Sequence, residues 1–338
     1  VADVNMMKKR ILTGDRPTGP LHLGHLVGSL KNRVRLQDDY ECFFIIADYQ
    51  ILTDHIKETE QTENNITEIL LDWLSVGMDP EKSTFFIQSR IPEIAELAMY
   101  FSMMVTLPRL QRNPTVKDEI KQSGMRHISY GFLGYPVSQA ADILIVRAHL
   151  VPVGDDQLPH IEQTREIART FNGLFKEVLP VPEALVGEVP RLPGLDGQKM
   201  GKSLGNAIYL KDAAPEIRRK IDSAITDPAR IRANDVGHPE VCNIYQYQLA
   251  FNPEKTPEIE AACRKGEIGC VACKRMASEA VIAYLQPIQE RRAYYQDKTS
   301  FLKDIVREGN DRTRVEAKTT MSIVRQAMHF DYKGLLCA

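Results

Sequence analysis

The sequence predicts an α/β chain: a doubly wound parallel sheet with an insertion, followed by a smaller all-helical domain. Three observations lead there. Ile11-Leu12-Thr13, residues 41–47 and Thr84-Phe85-Phe86-Ile87 are short continuous apolar runs, the pattern of strands buried on both faces. Between them, Leu26, Val27, Leu30 and Val34, then Ile66, Ile69, Leu70, Trp73 and Leu74, recur at helical spacing. In the last third only helical spacing remains, as in Ile217, Ile221 and Ile225 or Val281, Leu285 and Ile288.

The first strand runs into Gly14-Asp15-Arg16-Pro17-Thr18-Gly19-Pro20-Leu21-His22-Leu23-Gly24-His25, a Gly/Pro-rich turn from which a helix opens. A helix start carries unpaired N–H groups and the positive end of its dipole, a seat for phosphate. Gly24 lets a ligand lie against the backbone, and His22 and His25, three apart, reach one bound group. Imidazoles there can donate to oxygens that gain charge when a phosphoryl centre is attacked. The pair also reads as polar surface or as two zinc ligands, although no third ligand lies nearby in sequence.

The second strand ends at Asp48, and the helix after it stops at Gly77. Ligands in such folds lie beyond the carboxyl ends of the strands, where the Gly14 turn and Asp48 both point. Residues 108–131 break the pattern with Arg109, Arg112, Lys117, Lys121 and Arg126, either a solvated face or an insertion carrying an interface. Within Tyr135 to Leu144, Asp142 sits among apolar residues and needs a donor: a helix cap, an internal ion pair or a ligand N–H would serve. Leu150 to Val153 reads as a strand ending in Gly154-Asp155-Asp156-Gln157. Carboxylates there suit ribose hydroxyls, though a plain helix N-cap is the simpler reading of the residues alone.

Prolines at 180, 182, 190 and 193 break all periodicity from Val178 to Gly197, the best domain boundary. Beyond it, Lys199-Met200-Gly201-Lys202-Ser203 lies in a loop with Gly197, Gly201 and Gly205 as flexible points. Two lysines on a mobile loop can close on a triphosphate and neutralise charge leaving with pyrophosphate; a basic surface loop is the alternative. It is not a phosphate loop, because that motif requires glycine where Asp196 stands. Basic clusters at Arg218-Arg219-Lys220, Arg230 with Arg232, Lys274-Arg275 and Arg291-Arg292 read better as an RNA footprint than as four solvated faces.

Composition bounds the rest. At 338 residues, 43% hydrophobic and 26% charged, the chain can bury a sizeable core in two domains. No apolar run approaches the ~20 residues that span a bilayer. Val1 to Arg10 lack the apolar core of a secretory signal, so a cytoplasmic, non-membrane protein is expected. A net charge of −2 neither supports nor excludes nucleic acid. Of the six cysteines, Cys42 sits in a strand and Cys337 in the tail, while Cys242, Cys263, Cys270 and Cys273 crowd together. Cys270-x2-Cys273 is the spacing of a shared metal, and all-sulfur ligation fits zinc or a cubane iron–sulfur cluster.

His22-Leu23-Gly24-His25, followed far downstream by Lys199-Met200-Gly201-Lys202-Ser203, resembles the paired motifs of class I aminoacyl-tRNA synthetases. Gly14-x-x-Pro17-Thr18-Gly19, Ala140-Ala141-Asp142-Ile143-Leu144 and Val151-Pro152-Val153-Gly154-x-Asp156-Gln157 narrow the resemblance to bacterial tryptophanyl-tRNA synthetases. Cys242-Asn243-Ile244-Tyr245 and Pro287-Ile288-Gln289-Glu290-Arg291 extend it over nearly the whole chain. The resemblance implies a Rossmann-like catalytic domain at 1–184, with its insertion at roughly 88–131. A lysine loop and helical anticodon-binding domain at 185–300 and C-terminal helices at 301–338 returning to the catalytic domain complete it. It further implies a homodimer that uses ATP and Mg²⁺ to make tryptophanyl-adenylate and transfers the acyl group to tRNA(Trp). By position, Asp142 would accept the indole N–H, with Tyr135, Gln139, Gln157, Val151, Val153, Leu12, Gly14 and Gln50 around the amino acid. Arg16, Pro17, Thr18, Gly24, His25, Gly154, Asp155 and Asp156 would hold ATP; Lys199, Met200, Gly201, Lys202 and Ser203 would close on its phosphates. His22, His25, Lys199, Lys202 and Ser203 would act in catalysis. A subset of that family carries a 4Fe–4S cluster on four cysteines like these, which is favoured over zinc.

The sequence also departs from the pattern. Gly201 stands where the lysine motif usually has Ser, Arg16 where Gln is common, Gln139 where many relatives have Met, and Gln50 where some have His. A tyrosyl-tRNA synthetase is the near alternative, but that family places Tyr just before the turn glycine and this chain has Leu12-Thr13. A small nucleotidyltransferase would lack the lysine loop. A synthetase-derived binding or regulatory protein would not need the histidines and lysines kept intact.

Overall fold

A computed structural model describes residues 8–123, 127–154, 157–186 and 192–332. Five strands form one parallel sheet: β1 (Arg10–Asp15), β2 (Glu41–Ile46), β3 (Ser83–Ile87), β4 (Leu150–Val153) and β5 (Glu183–Val186), in the order β3-β2-β1-β4-β5. Alternation along the strands splits the core. Ile11, Cys42, Phe44 and Ile46 pack on one face, and Leu12, Phe43 and Ile45 on the other. Both faces are apolar because both are covered, which is why the strands read as continuous hydrophobic runs.

The histidine turn opens a helix in three pieces: α1 (Leu23–His25), a π-turn at Leu26–Leu30 and α2 (Lys31–Leu36). The apolar spacing predicts a plain helix; the π-turn is a local widening of the kind found beside functional sites. Helix α3 (Thr62–Val76) ends at Gly77, whose φ of 102° is the left-handed stop that only glycine takes without strain. Between β3 and β4 run α4 (Pro92–Ser102), α5 (Leu107–Gln111), α6 (Pro114–Ser123) and α7 (Tyr130–Ile145). Arg109 there is paired with Glu166 of α8 (Leu158–Leu174), at 2.6 and 3.0 Å. Arg126 and Cys337 lie outside the described residues.

Two expectations need correction. The proline-rich stretch 178–197 does contain a strand: β5 pairs in register with β4, from Leu150–Glu183 to Val153–Val186. An edge strand of four residues tolerates Pro182 immediately before it, because no ladder bond is lost there. Ile225 does not extend the buried face of α9 (Ala214–Ser223), since the backbone turns extended at Ala224 and Ile225 is exposed.

The remaining helices are α10 (Asn243–Phe251), α11 (Thr256–Arg264), α12 (Cys270–Gln296) and α13 (Thr299–Ala327). Ile217, Ile221, Ile244, Val281 and Leu285 join the core that also holds Trp73 and Leu26, so this region packs onto the sheet domain. Helix α13 covers the free edge of β3. Asn310 Oδ1 accepts the Ile87 N–H at 2.9 Å, and Gly309 lies so close that a Cβ there would meet the Phe85 carbonyl oxygen at 1.8 Å. Among the described residues no helix is long and apolar enough to cross a membrane.

The Gly309 contact gives a stability prediction. Gly309→Ala is expected to lower unfolding free energy by about 2–3 kcal/mol, read from urea denaturation, since backbone must move to admit the methyl group. Gly28→Ala, where a Cβ meets nothing within 4 Å, is the control and is expected to leave stability within about 1 kcal/mol of the parent.

Candidate active site

The site lies at the carboxyl ends of β1 and β2, where a doubly wound sheet places its ligand. β1 and β2 approach closely at Gly14: a Cβ there would stand 1.9 Å from the Ile45 carbonyl oxygen, so the position excludes any side chain. Its neighbour Asp15 points into protein. Arg33 donates to both its oxygens, at 2.6 and 3.2 Å, and Trp73 Nε1 donates at 2.9 Å. Burial alone would raise this carboxyl, but Arg33, His25 and Trp73 outweigh it and hold it at about 2. Asp15 therefore fastens the strand end to α2 and α3. Arg16 pairs with Asp54, which also binds His55 Nδ1 at 2.7 Å.

The histidine turn and the lysine loop meet. Lys202 Nζ donates to the Gly19 carbonyl at 2.6 Å and to Thr18 Oγ1 at 3.3 Å. Met200 is buried, and its Sδ accepts the Gly24 N–H at 3.3 Å. The chain just after the loop is stitched to the turn itself: Leu23 N–H donates to Ile208 O at 2.9 Å, and Leu210 N–H to Leu21 O at 3.0 Å. Burial lowers Lys202 to about 8, and it lowers His22 and His25 to about 3 and 4. Both imidazoles are thus neutral at physiological pH, with rings 3.8 Å apart, and the His22 N–H rests on His25 Nδ1 at 3.3 Å. A neutral imidazole still has one N–H to offer an oxyanion.

The loop is not a free strap. Asn206, 3% exposed, accepts the Gly201 N–H at 2.9 Å and donates to Lys199 O at 3.1 Å and Asp196 Oδ1 at 2.7 Å. Sequence reasoning missed Asn206; its only signal was a polar residue between Gly205 and an apolar run. The Ser203 side chain and all of Asp155 and Asp156 lie outside what is described.

On the other side of β1, α7 carries Tyr135, Gln139 and Asp142, the residues expected at the amino acid. Asp142 is 4% exposed and pushed up to about 8 by burial, with the Asp48 charge adding in the same direction. It is neither a helix cap nor one half of an ion pair: its donor is Gln88 Nε2, at 2.7 and 2.9 Å from the two oxygens. Gln88 was not singled out in the sequence, because an amide ending an apolar run looks like an ordinary strand terminus. Asp48 is spent on backbone, accepting from Tyr49 N–H at 3.1 Å and Ser89 N–H at 2.9 Å. Tyr135 donates to Glu119 at 2.8 Å and lies 2.8 Å from His160 Nε2. Leu12 and Val151 are buried, Gln50, Gln139, Val153 and Gln157 keep partial exposure, and Gly154 is exposed.

The basic clusters are largely committed elsewhere. Arg292 is 7% exposed and donates to Asp72 and, at 2.8 Å, to Glu68; Arg291 Nε binds the Ser75 carbonyl. Lys220 binds Asp212 at 2.6 Å and Arg219 binds Glu216 at 2.6 and 2.8 Å. Arg219–Glu216 is an exposed pair within α9, but Arg291, Arg292 and Lys220 are committed to protein, which corrects the reading of every cluster as an RNA footprint. Runs of adjacent cations on a helix point in different directions, so only part of each run is free for a polyanion.

Cys242, Cys263, Cys270 and Cys273 do converge, lining one small pocket with Ile244 and Ile268. Gln248 Nε2 donates to Cys273 Sγ at 3.5 Å and Arg230 to Cys263 Sγ at 3.8 Å. Among the described residues no three His, Cys, Asp or Glu side chains are placed to hold a single metal ion.

The Asp15 node makes a pH prediction. Its carboxyl is lowered by folding, so its stabilisation is present above its ordinary value and lost as pH falls toward about 2. Asp15→Asn leaves Arg33 buried without a counter-charge and is expected to cost about 3 kcal/mol at pH 7. In urea titrations the gap between variant and parent should narrow as pH falls from 5 to 2.5; a constant gap would disprove the role of the charge.

Comparison with known proteins agrees with this geometry. Residues 6–286 match the family model for class I tRNA synthetases (W and Y). A tryptophan–tRNA ligase of Clostridium longisporum is 48% identical over 336 residues, covering 97% of this chain and 98% of the relative. One from Streptococcus pyogenes is 50% identical over 339 residues, covering 97% and 100%. In structure, the chain is similar to a Campylobacter jejuni tryptophanyl-tRNA synthetase complexed with ADP and tryptophan, with TM-score 0.84, 33% identity and coverage of 95% and 99%. The chain belongs to the class I tRNA synthetases for tryptophan and tyrosine, on the bacterial tryptophanyl branch.

Proposed function

We infer that the chain is a tryptophan–tRNA ligase, activating tryptophan with ATP and passing it to tRNA(Trp). The observation that carries this is the meeting of Lys202 and Met200 with the turn at Thr18, Gly19 and Gly24, beside a buried acceptor at Asp142. The tryptophan carboxylate attacks the α-phosphorus in line, and pyrophosphate leaves. No covalent enzyme intermediate is needed, so the work is positioning and charge stabilisation. Arg16, Pro17, Thr18, Gly24 and His25 are assigned to the nucleotide by position, and Gly154, Asp155 and Asp156 to its ribose. Lys202 now rests on a carbonyl and a hydroxyl. A triphosphate offers it a stronger partner, and Mg²⁺ accompanies that charge. Lys199 and Ser203 join it by position, and His22 and His25 donate as neutral imidazoles.

Asp142 accepts the indole N–H. A phenylalanine side chain would leave that buried acceptor without its donor, which is how such a site rejects it. Tyr135, Gln139, Gln157, Val151, Val153, Leu12, Gly14 and Gln50 surround the substrate. Lys202→Met is expected to lower kcat for ATP–pyrophosphate exchange by about 100-fold or more, with little change in KM for tryptophan. Exchange dependent on tryptophan, and absent with tyrosine, tests the assignment; tyrosine-dependent exchange would replace it, and exchange with no aromatic or modified indole would favour a binding protein.

The same reading places the protein in the cytoplasm as a homodimer. Exposed Met99, Met103, Leu107 and Tyr130, all in the region between β3 and β4, offer an apolar face for the second copy. It also places a 4Fe–4S cluster on Cys242, Cys263, Cys270 and Cys273. What supports this is that four thiols line one pocket with Ile244, Ile268, Thr226, Asp227 and Arg230, and that Gln248 and Arg230 supply N–H donors to sulfur. Its part is structural, tying α10, α11 and α12 together. Anaerobically purified protein is expected to be brown and to carry about four iron and four sulfide per chain; a colourless protein with stoichiometric zinc would overturn this.

A further inference from the structure

We propose that Gln88 is the positioning residue for the indole acceptor: its side-chain amide holds both oxygens of Asp142 and fixes the direction in which the remaining lone pairs face the substrate. The proposal rests on the tryptophan-ligase reading and deepens it.

The orientation of Gln88 is set on both sides. Its Oε1 accepts the Tyr49 N–H at 3.0 Å, which leaves Nε2 to face Asp142. One amide nitrogen has two hydrogens, and it lies 2.7 and 2.9 Å from the two carboxylate oxygens. Gln88 is fully buried and Asp142 nearly so. A carboxylate offers about four lone-pair positions; Gln88 takes up to two and leaves the rest for a ligand.

The backbone behind Gln88 is equally fixed. It starts the turn Gln88–Arg90 directly after β3, whose last residue gives its N–H to Asn310 of α13. The C-terminal helix thus holds the strand end that aims the amide. A neutral donor also suits the task. An arginine or lysine here would saturate the carboxylate as an ion pair and compete with an indole N–H.

The charged and titratable groups facing Asp142 are Asp48, at the end of β2, and Tyr49 in the turn Tyr49–Thr53. Asp48 and burial both favour the protonated acid, and Gln88 opposes them. Without Gln88 the carboxyl keeps its proton to higher pH, and a neutral acid is the weaker acceptor. Tryptophan binding should then improve as pH rises.

The test is ATP–pyrophosphate exchange with Gln88→Met and Gln88→Glu between pH 6.5 and 9. Gln88→Glu keeps an oxygen for the Tyr49 N–H, so it reads the same loss should Gln88→Met fail to fold. Each is expected to raise KM for tryptophan about tenfold at pH 7, with kcat and KM for ATP within about twofold of the parent. For Gln88→Met the defect should shrink toward pH 9. In an Asp142→Asn background Gln88→Met should add nothing. An unchanged KM, an equal fall in kcat, or an effect that persists without Asp142 would overturn the proposal. A parent enzyme with no tryptophan-dependent exchange would instead overturn the ligase reading.

Discussion

Everything at the site depends on the backbone seam between residues 21–23 and 208–210. Two hydrogen bonds, from Leu23 to Ile208 and from Leu210 to Leu21, bind the histidine turn to the segment that follows the lysine loop. Lys202 and Thr18, 184 residues apart in sequence, come within reach because of it. The seam is itself anchored. The Leu21 N–H donates to Asp72 Oδ2 at 2.7 Å, and Asp72 also takes Arg292 of α12. Loop-closure entropy for so long a separation is met once, at the seam, and not anew each time the lysine approaches.

Three carboxylates withdrawn from solvent, two near the seam and one on the other side of β1, show how partner choice sets the use of a charge. Asp15 has a guanidinium and an indole N–H and lies at about 2. Asp72 has a guanidinium and a backbone N–H against deeper burial, and burial raises it to about 6. Asp142 has a neutral amide alone and lies at about 8. The first two are committed to holding α2, α3 and α12 in place. Only the third is held by a neutral donor alone, and acceptor capacity without a strong internal partner is what substrate recognition requires.

Much of this was legible in the sequence. Strands β1 to β4 are apolar runs because both sheet faces are covered, and Gly77 marked the end of α3 because φ there is positive. The turn at Gly14 to His25 and the loop at Lys199 to Lys202 announced themselves by residue type. What escaped was set by tertiary partners. β5 is four residues long and follows Pro180 and Pro182, so it does not stand out until β4 lies beside it. Arg291 and Arg292 look alike in sequence, yet one binds a carbonyl and the other closes a buried ion pair. Gln88 and Asn206 have no local pattern at all; each matters through the group that another element brings to it.

The departures from the family pattern can now be weighed by what surrounds them. Gly201 is not forced by the backbone or by crowding. Its φ is −152°, and a Cβ there would meet Leu204 at an ordinary 3.6 Å. A serine would fit, so glycine at 201 removes a hydroxyl and a rotor from the phosphate side and satisfies no packing demand. The N–H of residue 201 is nonetheless held by Asn206, which gives back much of the order that glycine would lose. Arg16 is likewise held, by Asp54, a partner that a glutamine would bind more weakly. Both changes come with a neighbour that steadies the altered residue. Neither departure therefore leaves an unheld backbone N–H or an unpaired charge at its position.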